Sequence, residues 1–431
     1  MQKTILTKAI AVAMVTLGAS AAMAESSVTF YGNADVSIDN VHNTSGVRLI
    51  PAVSQTQGVS STVTRVSPSA TSQTSFGFKG TEDLGEGLKA SFVLEGQLSH
   101  DTGALSQDGR IFGRQSYVGL TTPFGEVRLG RQYAPIFYST AFVTGERFGA
   151  TDLFIEGGAT NNLMVRQDNQ VSYWLKAGGF TGSMAYTPNA GSYGTVNSQR
   201  GSVANSTTGG ILGAAGAGTE SGTSKTGRAV GFFGNYAFDS SFNATLGFHR
   251  NEFGNAAITA VTPVGTVTST LRLEKYQAYN LGAKYVMPST GIMFDAAFAQ
   301  GKYDVSTSAD GLKIQFLVLG TSIPVNQWTL SAQVSQIQFK NFTKGKDTGM
   351  MLGAEYALSK RTTVYTRVVQ IRDDEGQAST GAALVGVGPV VGGPDVIATA
   401  LGFRETPVFA GAGINAGGKA TYIGAGIRHS F

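Results

Sequence analysis

The sequence predicts an all-β fold, a sixteen-stranded antiparallel transmembrane β-barrel with an external loop folded into its lumen. Three observations carry that expectation. Apolar and polar residues alternate along segments of about ten residues, the length a tilted strand needs to cross a bilayer. Tight turns and long loops alternate between those segments. One loop of about thirty residues, longer than a compact fold normally leaves without structure, carries acids and is flanked by basic residues.

The N-terminus has Lys3 and Lys8, an apolar run from Ala9 to Leu17 and the small-x-small end Ala22-Met23-Ala24. This is the pattern of a secretory signal peptide cleaved before Glu25, so residues 1–24 are read as the signal peptide and 25–431 as one barrel domain. The apolar run is too short to anchor the chain as a spanning helix. Glycine supplies 58 of 431 residues, proline 11, charged residues 14%, and the mean hydropathy is +0.01. A bilayer helix is not indicated, yet hydrophobic residues alternate almost throughout. With no cysteine, a disulfide framework and any Cys-ligated metal site are excluded, and neither metal nor cofactor is indicated. The formal charge of +4 falls to +2 without Lys3 and Lys8, far from the basic excess of a nucleic-acid binder.

Strand by strand the alternation is plain. Val28, Phe30, Ala34, Val36 and Ile38 share one parity, and Thr29, Tyr31, Asn33, Asp35 and Ser37 the other. The pattern recurs at Leu88 to Gln97, Phe242 to His249, Tyr279 to Tyr285, Ile292 to Phe298 and Trp328 to Val334. Segments begin near 27, 72, 87, 109, 125, 164, 180, 228, 241, 274, 290, 312, 326, 346, 361 and 419, which makes sixteen. The even-numbered ones are followed by tight turns such as TPFG, FDSS and MPSTG. Most odd-numbered ones are followed by longer Gly/Ser/Thr-rich loops, the largest at 189–227 and 374–418. Short turns on one rim and long loops on the other mark an outer-membrane barrel with both termini on the short-turn side. A soluble sandwich has no reason to sort its loops this way.

The chain ends Tyr422-Ile423-Gly424-Ala425-Gly426-Ile427-Arg428-His429-Ser430-Phe431, closing on an aromatic. Internally it has Gly77-Phe78-Lys79-Gly80-Thr81-Glu82-Asp83-Leu84-Gly85, Gly113-Arg114-Gln115-Ser116-Tyr117-Val118-Gly119-Leu120 and Phe124-Gly125-Glu126-Val127-Arg128-Leu129-Gly130-Arg131-Gln132-Tyr133. On these motifs the sequence resembles the Gram-negative general porins, in particular the trimeric outer-membrane porins of betaproteobacteria. The likeness spans nearly the whole mature chain. It implies a homotrimer and a third external loop folded into the lumen opposite wall arginines.

Carried over on that resemblance, Arg114 and Arg166 match arginines of the pore constriction. Parity supports both: Arg166 shares its face with Asp168, Gln170 and Ser172, opposite Val165, Val171 and Tyr173, and a charge facing lipid at mid-depth costs several kcal/mol. Where relatives often carry a further arginine this chain has Ser75-Phe76, so one rung of the usual ladder is missing and the implied anion preference is weakened. Arg128 is a candidate replacement, or else a rim arginine paired with Glu126. Arg131 shares parity with Val127 and Leu129, so it either points to a neighbouring subunit as a trimer contact or is freed to water where the chain bends at Tyr133-Ala134-Pro135. The acidic side is assigned to Asp152 and Glu156 on the loop, with Glu146 third. Asp35, Glu95 and Asp295 follow as lumen acids from parity. Phe431 resembles the signal by which barrels are recognised for insertion.

Enzymatic barrels need a His set beside Ser or carboxylates. His42, His100, His249 and His429 are scattered and match no catalytic motif, and His249 reads as a wall residue, so an enzyme is not expected. The sequence is read as a porin: a water-filled channel for passive diffusion of ions and small hydrophilic solutes. The alternative is a substrate-selective channel for organic anions or aromatic acids, and a weaker one a surface receptor using the long loops. The partners implied are outer-membrane lipid, lipopolysaccharide and the barrel-assembly machinery, not nucleic acid.

Overall fold

The structure is a computed structural model that describes residues 27–44, 61–68, 71–105, 109–144, 166–188, 228–262, 265–305, 308–340, 345–373, 408–409, 412–413 and 419–431. Residues 1–24, the candidate acids Glu146, Asp152 and Glu156, and the loop 189–227 lie outside them, as does nearly all of 374–418. In chain order the strands are β1 (Ser27–Thr44), β2 (Ser61–Pro68), β3 (Ser75–Gly85), β4 (Leu88–Gln97), β5 (Gln115–Thr122), β6 (Gly125–Tyr133), β7 (Arg166–Ala177), β8 (Phe180–Thr187) and β9 (Ala229–Ala237). They continue as β10 (Phe242–Thr262), β11 (Gly265–Val286), β12 (Met293–Val305), β13 (Ser308–Val325), β14 (Trp328–Lys340), β15 (Gly345–Ala357), β16 (Thr362–Asp373), the two-residue pair β17 (Val408–Phe409) and β18 (Ala412–Gly413), and β19 (Lys419–Ser430). One helix, α1 (Pro135–Ala141), follows β6. Every strand of the main sheet pairs antiparallel with its neighbours, and β1 with β19 closes it into a sixteen-stranded barrel.

The sixteen arise because β2 and β3 are one wall strand interrupted. The first half of β1 pairs with β3, from Ser27↔Thr81 to Asn33↔Ser75, and its second half with β2, from Val36↔Pro68 to Asn43↔Ser61. The second wall strand therefore starts at Ser61, earlier than the reading near 72. At the break, Thr71 and Ser72 donate backbone N–H groups to Asp35 Oδ2 at 2.9 and 2.6 Å, and Thr74 Oγ1 accepts the Asp35 N–H. Side chains thus satisfy backbone that the missing ladder leaves open. A second difference lies at β10 and β11, which run unbroken over 21 and 22 residues where a loop was read before 274. The alternating Val and Thr of that stretch suit an extended hairpin. The fourth wall strand starts at Gln115, not near 109, because the chain loops back first, with Ser99 N–H bonding Ala104 O at 2.9 Å.

Each strand sorts its residues by parity. Outward-facing Val118, Leu129, Leu281, Leu319, Leu352 and Ile423 are all more than half exposed, an apolar band for lipid. Near the tight turns the band ends in ring contacts, Phe30–Phe78 at 5.3 Å, Tyr236–Phe238 at 4.8 Å and Trp328–Tyr356 at 4.8 Å. Towards the long loops Phe248 approaches Phe232 and Tyr279 at 5.9 and 6.5 Å. These are the two aromatic girdles of a barrel that sits in a bilayer. Inward-facing Asp35, Ser37, Asp39, Thr245, Asn280 and Gln333 are buried and polar. Several inward tyrosines lie flat: the Tyr422 ring covers Gly424 and the Tyr276 ring covers Gly301, each occupying the space a Cβ would need.

The seam is capped by the last residue. Phe431 N–H bonds Gly32 O at 3.1 Å, Gly32 N–H bonds Phe431 O at 3.2 Å, and the Phe431 ring packs 5.3 Å from Phe30 over the bare Cα of Gly32. Deleting Phe431 removes both bonds and the ring contact. The expected outcome is a clear fall in the yield of heat-modifiable folded barrel on a gel; full yield with an unchanged unfolding temperature would show that closure does not depend on it.

Candidate functional site

The site is built where β6 ends and the chain turns inward. Pro135 starts α1 at a position where its missing N–H costs nothing. The helix runs inside the lumen past β7 and β8 and docks on the inner face of β9, β10 and β11. Ile136 and Val143 are fully buried there, Thr245 Oγ1 donates to Ser139 O at 2.6 Å and Asn280 Nδ2 to Ile136 O at 3.3 Å. Two wall glycines make the approach feasible. A Cβ on Gly247 would stand 2.6 Å from Ser139 Oγ, and one on Gly282 2.5 Å from Val143 Cγ2. The beginning of the long loop is therefore folded into the lumen, as expected.

Under this helix an aromatic stack holds the bend. Tyr133 stacks on Phe137 at 4.4 Å, and Tyr138 meets Trp174 at 4.8 Å and Phe233 at 5.4 Å. Burial, then the nearby Tyr133 oxygen, pushes the Tyr138 hydroxyl well above the usual range, so it stays protonated.

The structure brings Arg114 and Arg166 together. Arg114 Nη2 donates to the Tyr133 hydroxyl at 2.7 Å and Arg166 Nη2 donates to the same oxygen at 2.9 Å. Arg166 also lies over the Tyr133 ring, 4.5 Å from its centroid. Arg114 Nε is bonded to Glu95 Oε1 at 2.6 Å, Glu95 Oε2 accepts from the Tyr31 hydroxyl at 2.9 Å, and Arg114 Nη1 reaches Gln73 Oε1 at 3.0 Å. Burial works against the Arg114 charge, but the Tyr133 oxygen and Glu95 outweigh it and raise the guanidinium pKa further. Arg114 remains a cation at any physiological pH.

Arg128 is elsewhere. It bonds Glu126 Oε2 at 2.7 Å and lies over Trp174 at 4.6 Å and Tyr117 at 5.1 Å, three residues from the tight turn that opens β6. The pair with Glu126 that its rim reading expects is formed. Arg131 pairs in register with Ser116 on the outward parity of Val118 and Leu129. Its Nη1 bonds Asp168 Oδ1 at 2.5 Å and its Nε bonds Gly113 O at 2.7 Å, while Arg110 holds the other Asp168 oxygen at 3.3 Å. Asp168 does not share the wall face with Arg166 that simple parity assigns it. Asn169 has φ of 54° and the register shifts between Gly130 and Gln132, so a bulge turns the carboxylate to Arg131.

His249 is a buried wall residue, its Nε2 2.9 Å from Asn251 Oδ1. Asp35, Glu95 and Asp295 are all on the lumen side and buried. Sequence reasoning missed Tyr133, Tyr31 and Gln73. The bend at Tyr133-Ala134-Pro135 was the available signal for the first, because a strand that turns inward carries its last side chain with it.

The family model described as Gram-negative porin matches residues 9–376. Outer membrane porin protein 32 of Delftia acidovorans is 28% identical over 97% of this chain and 99% of its own length. An outer membrane porin protein of Bordetella pertussis is 27% identical over 85% of this chain and 93% of its own. Among solved structures, the anion-selective porin from Comamonas acidovorans has the same fold at a TM-score of 0.63 and 24% identity, covering 94% of this chain and 100% of that one. The trimer form of an outer membrane protein of Vibrio cholerae, OmpT, matches at a TM-score of 0.59 and 12% identity over 94% and 99%. These named porins are channels rather than enzymes.

The docking of α1 yields a direct test. Gly282→Leu places a side chain where Val143 sits and is expected to lift the helix from the wall. Single-channel conductance of the folded variant is expected to change measurably while the unfolding temperature drops by only a few degrees, in line with overpacking that costs about 1–3 kcal/mol. Identical conductance would show that α1 does not border the narrowest passage.

Proposed function

The chain belongs to the Gram-negative porin family and forms an outer-membrane channel for passive diffusion of small solutes, and on that premise we propose that the channel favours anions. The observation that supports this is the placement of two arginines on one phenol oxygen, with Glu95 the described carboxylate bonded to Arg114. Two like charges held a few Å apart repel by about 4 kcal/mol at an effective dielectric near 20. A passing anion relieves that repulsion and a cation adds to it. The named anion-selective relative in the same fold agrees in sign.

The rest of the mechanism is a sieve. The inward loop reduces the cross-section, and a field between wall arginines and loop acids orients dipolar solutes. Glu146, Asp152 and Glu156 are proposed as those acids. The working unit is proposed to be a homotrimer, with Arg131 on the outer wall near the subunit contact. Residues 1–24 are proposed to be removed on export, Phe431 to be read by the barrel-assembly machinery, and lipopolysaccharide to surround the finished barrel.

A second reading, selectivity for aromatic acids, is favoured by one feature. The stacked rings of Tyr133 and Phe137 lie beside both guanidinium groups, offering a π-face and charge together. Benzoate added to one side of a planar bilayer should then reduce chloride current at millimolar concentration, whereas acetate should not.

For the main reading the decisive measurement is a reversal potential in a salt gradient. Arg114→Ala with Arg166→Ala is expected to move it towards cations, and Asp152→Asn with Glu156→Gln towards anions. Both shifts should fade as electrolyte rises, because charges are screened over roughly 10 Å at 0.1 M. If neither pair moves the potential at low salt, these residues do not form the constriction.

A further inference from the structure

The outer wall of β11 to β19 carries a second pattern, above the apolar band on the long-loop side. Along β11 to β16 and β19 the outward parity runs from apolar residues through glutamine or threonine to a basic residue, as in Phe298, Gln300, Lys302 on β12 and Leu317, Gln315, Lys313 on β13. The basic residues meet in register. Lys302 is the partner of Lys313, and Lys313 is the partner of Lys340. Two strands further on, Arg372 is the partner of Lys419. Like charges directly opposite on neighbouring strands destabilise a sheet. Asp304 compensates Lys302 at 2.9 Å, but no ion pair is formed by Lys313 or Lys340 among the described residues.

We propose that this row is the seat of a bisphosphorylated glycolipid of the outer leaflet, its phosphates against Lys302, Lys313 and Lys340 and its acyl chains on the apolar band below. The proposal rests on the outer-membrane placement of the barrel and gives the proposed lipopolysaccharide partner a specific surface. Three consecutive strands spaced about 4.8 Å apart present a row wider than one phosphate, so a headgroup with two phosphates fits better than a phospholipid with one. A second copy of the chain fits poorly. The outward carboxylate near the external end of β7, Asp168, is already held by Arg110 and Arg131. The lysines point away from the lumen, so the seat and the channel are separable.

The variant Lys302→Gln/Lys313→Gln/Lys340→Gln extends the glutamine layer beneath by one row. Purified in neutral detergent without lipid at low ionic strength, it is expected to unfold at or above the wild-type temperature, since the like-charge row is relieved. Titrated with diphosphoryl lipid A, the wild type is expected to be stabilised, with an apparent affinity at least about tenfold higher than the variant's, each lysine near an anionic surface contributing about fivefold before screening. Lipid A stripped of both phosphates should bind the two proteins alike and weakly. Equal affinity of wild type and variant for diphosphoryl lipid A overturns the proposal. So does an equal response of the wild type to phosphate-free lipid A or to phosphatidylglycerol. Should the triple variant not fold, Lys340→Gln alone is read the same way. Conductance of the variants is expected to be unchanged; a wild type that conducts no ions would count against the channel reading and leave the lipid result to be judged separately.

Discussion

A backbone that crosses lipid finds no water for its amides, so every N–H and C=O must be paired within the protein. In this molecule that constraint comes down to the seam between β1 and β19, from Asn33↔Ser430 to Thr44↔Lys419. Closing it removes the two open edges and at the same time creates an enclosed interior. The wall then has two environments, and the period-2 alternation of each strand must match both. A one-residue slip of β1 would send Asp35 and Asp39 to lipid and Ile38 to the lumen.

The enclosed interior allows charges to be placed that lipid would forbid. Arg367 and Arg428 both bond Glu355, at 2.7 and 2.9 Å, Arg65 bonds Asp39 at 3.0 Å, and Arg114 bonds Glu95 at 2.6 Å. Such pairs hold long side chains along the wall instead of across the bore. The exception in composition is the neighbourhood of Tyr133, where two guanidinium groups share one phenol oxygen. That arrangement exists because α1 and its aromatic stack fix Tyr133 in place, and α1 in turn is fixed by the close approach to β10 and β11.

Much of the wall was legible in the sequence because alternation and turn chemistry are local. The strands read from 27, 125, 180 and 419 start there in the structure, and parity put Asp35, Glu95 and Asp295 on the inner face. What local pattern did not reveal was long-range geometry. Asp35 gathers Thr71 and Ser72 across a strand break, Gln73 is carried to Arg114 by the same break, and a bulge at Asn169 moves Asp168 off the parity of its strand. The partner of Arg114 was sought on the loop, whereas the nearest described carboxylate, Glu95, lies on the adjacent wall strand. Alternation says which side a residue faces and nothing about which neighbour it reaches.

The tyrosines that lie flat on the inner wall have a further consequence. Tyr422 occupies the space over Gly424, Tyr365 the space over Gly426 and Tyr276 the space over Gly301. A large ring takes little of the open cross-section only while its neighbour has no side chain; a methyl group at Gly424 or Gly301 would push the covering ring off the wall and into the water. None of these positions carries a charge. Calibre and polarity are thus written on different residues of the same wall, and such a channel can drift in the size of what it admits without changing the sign of what it prefers.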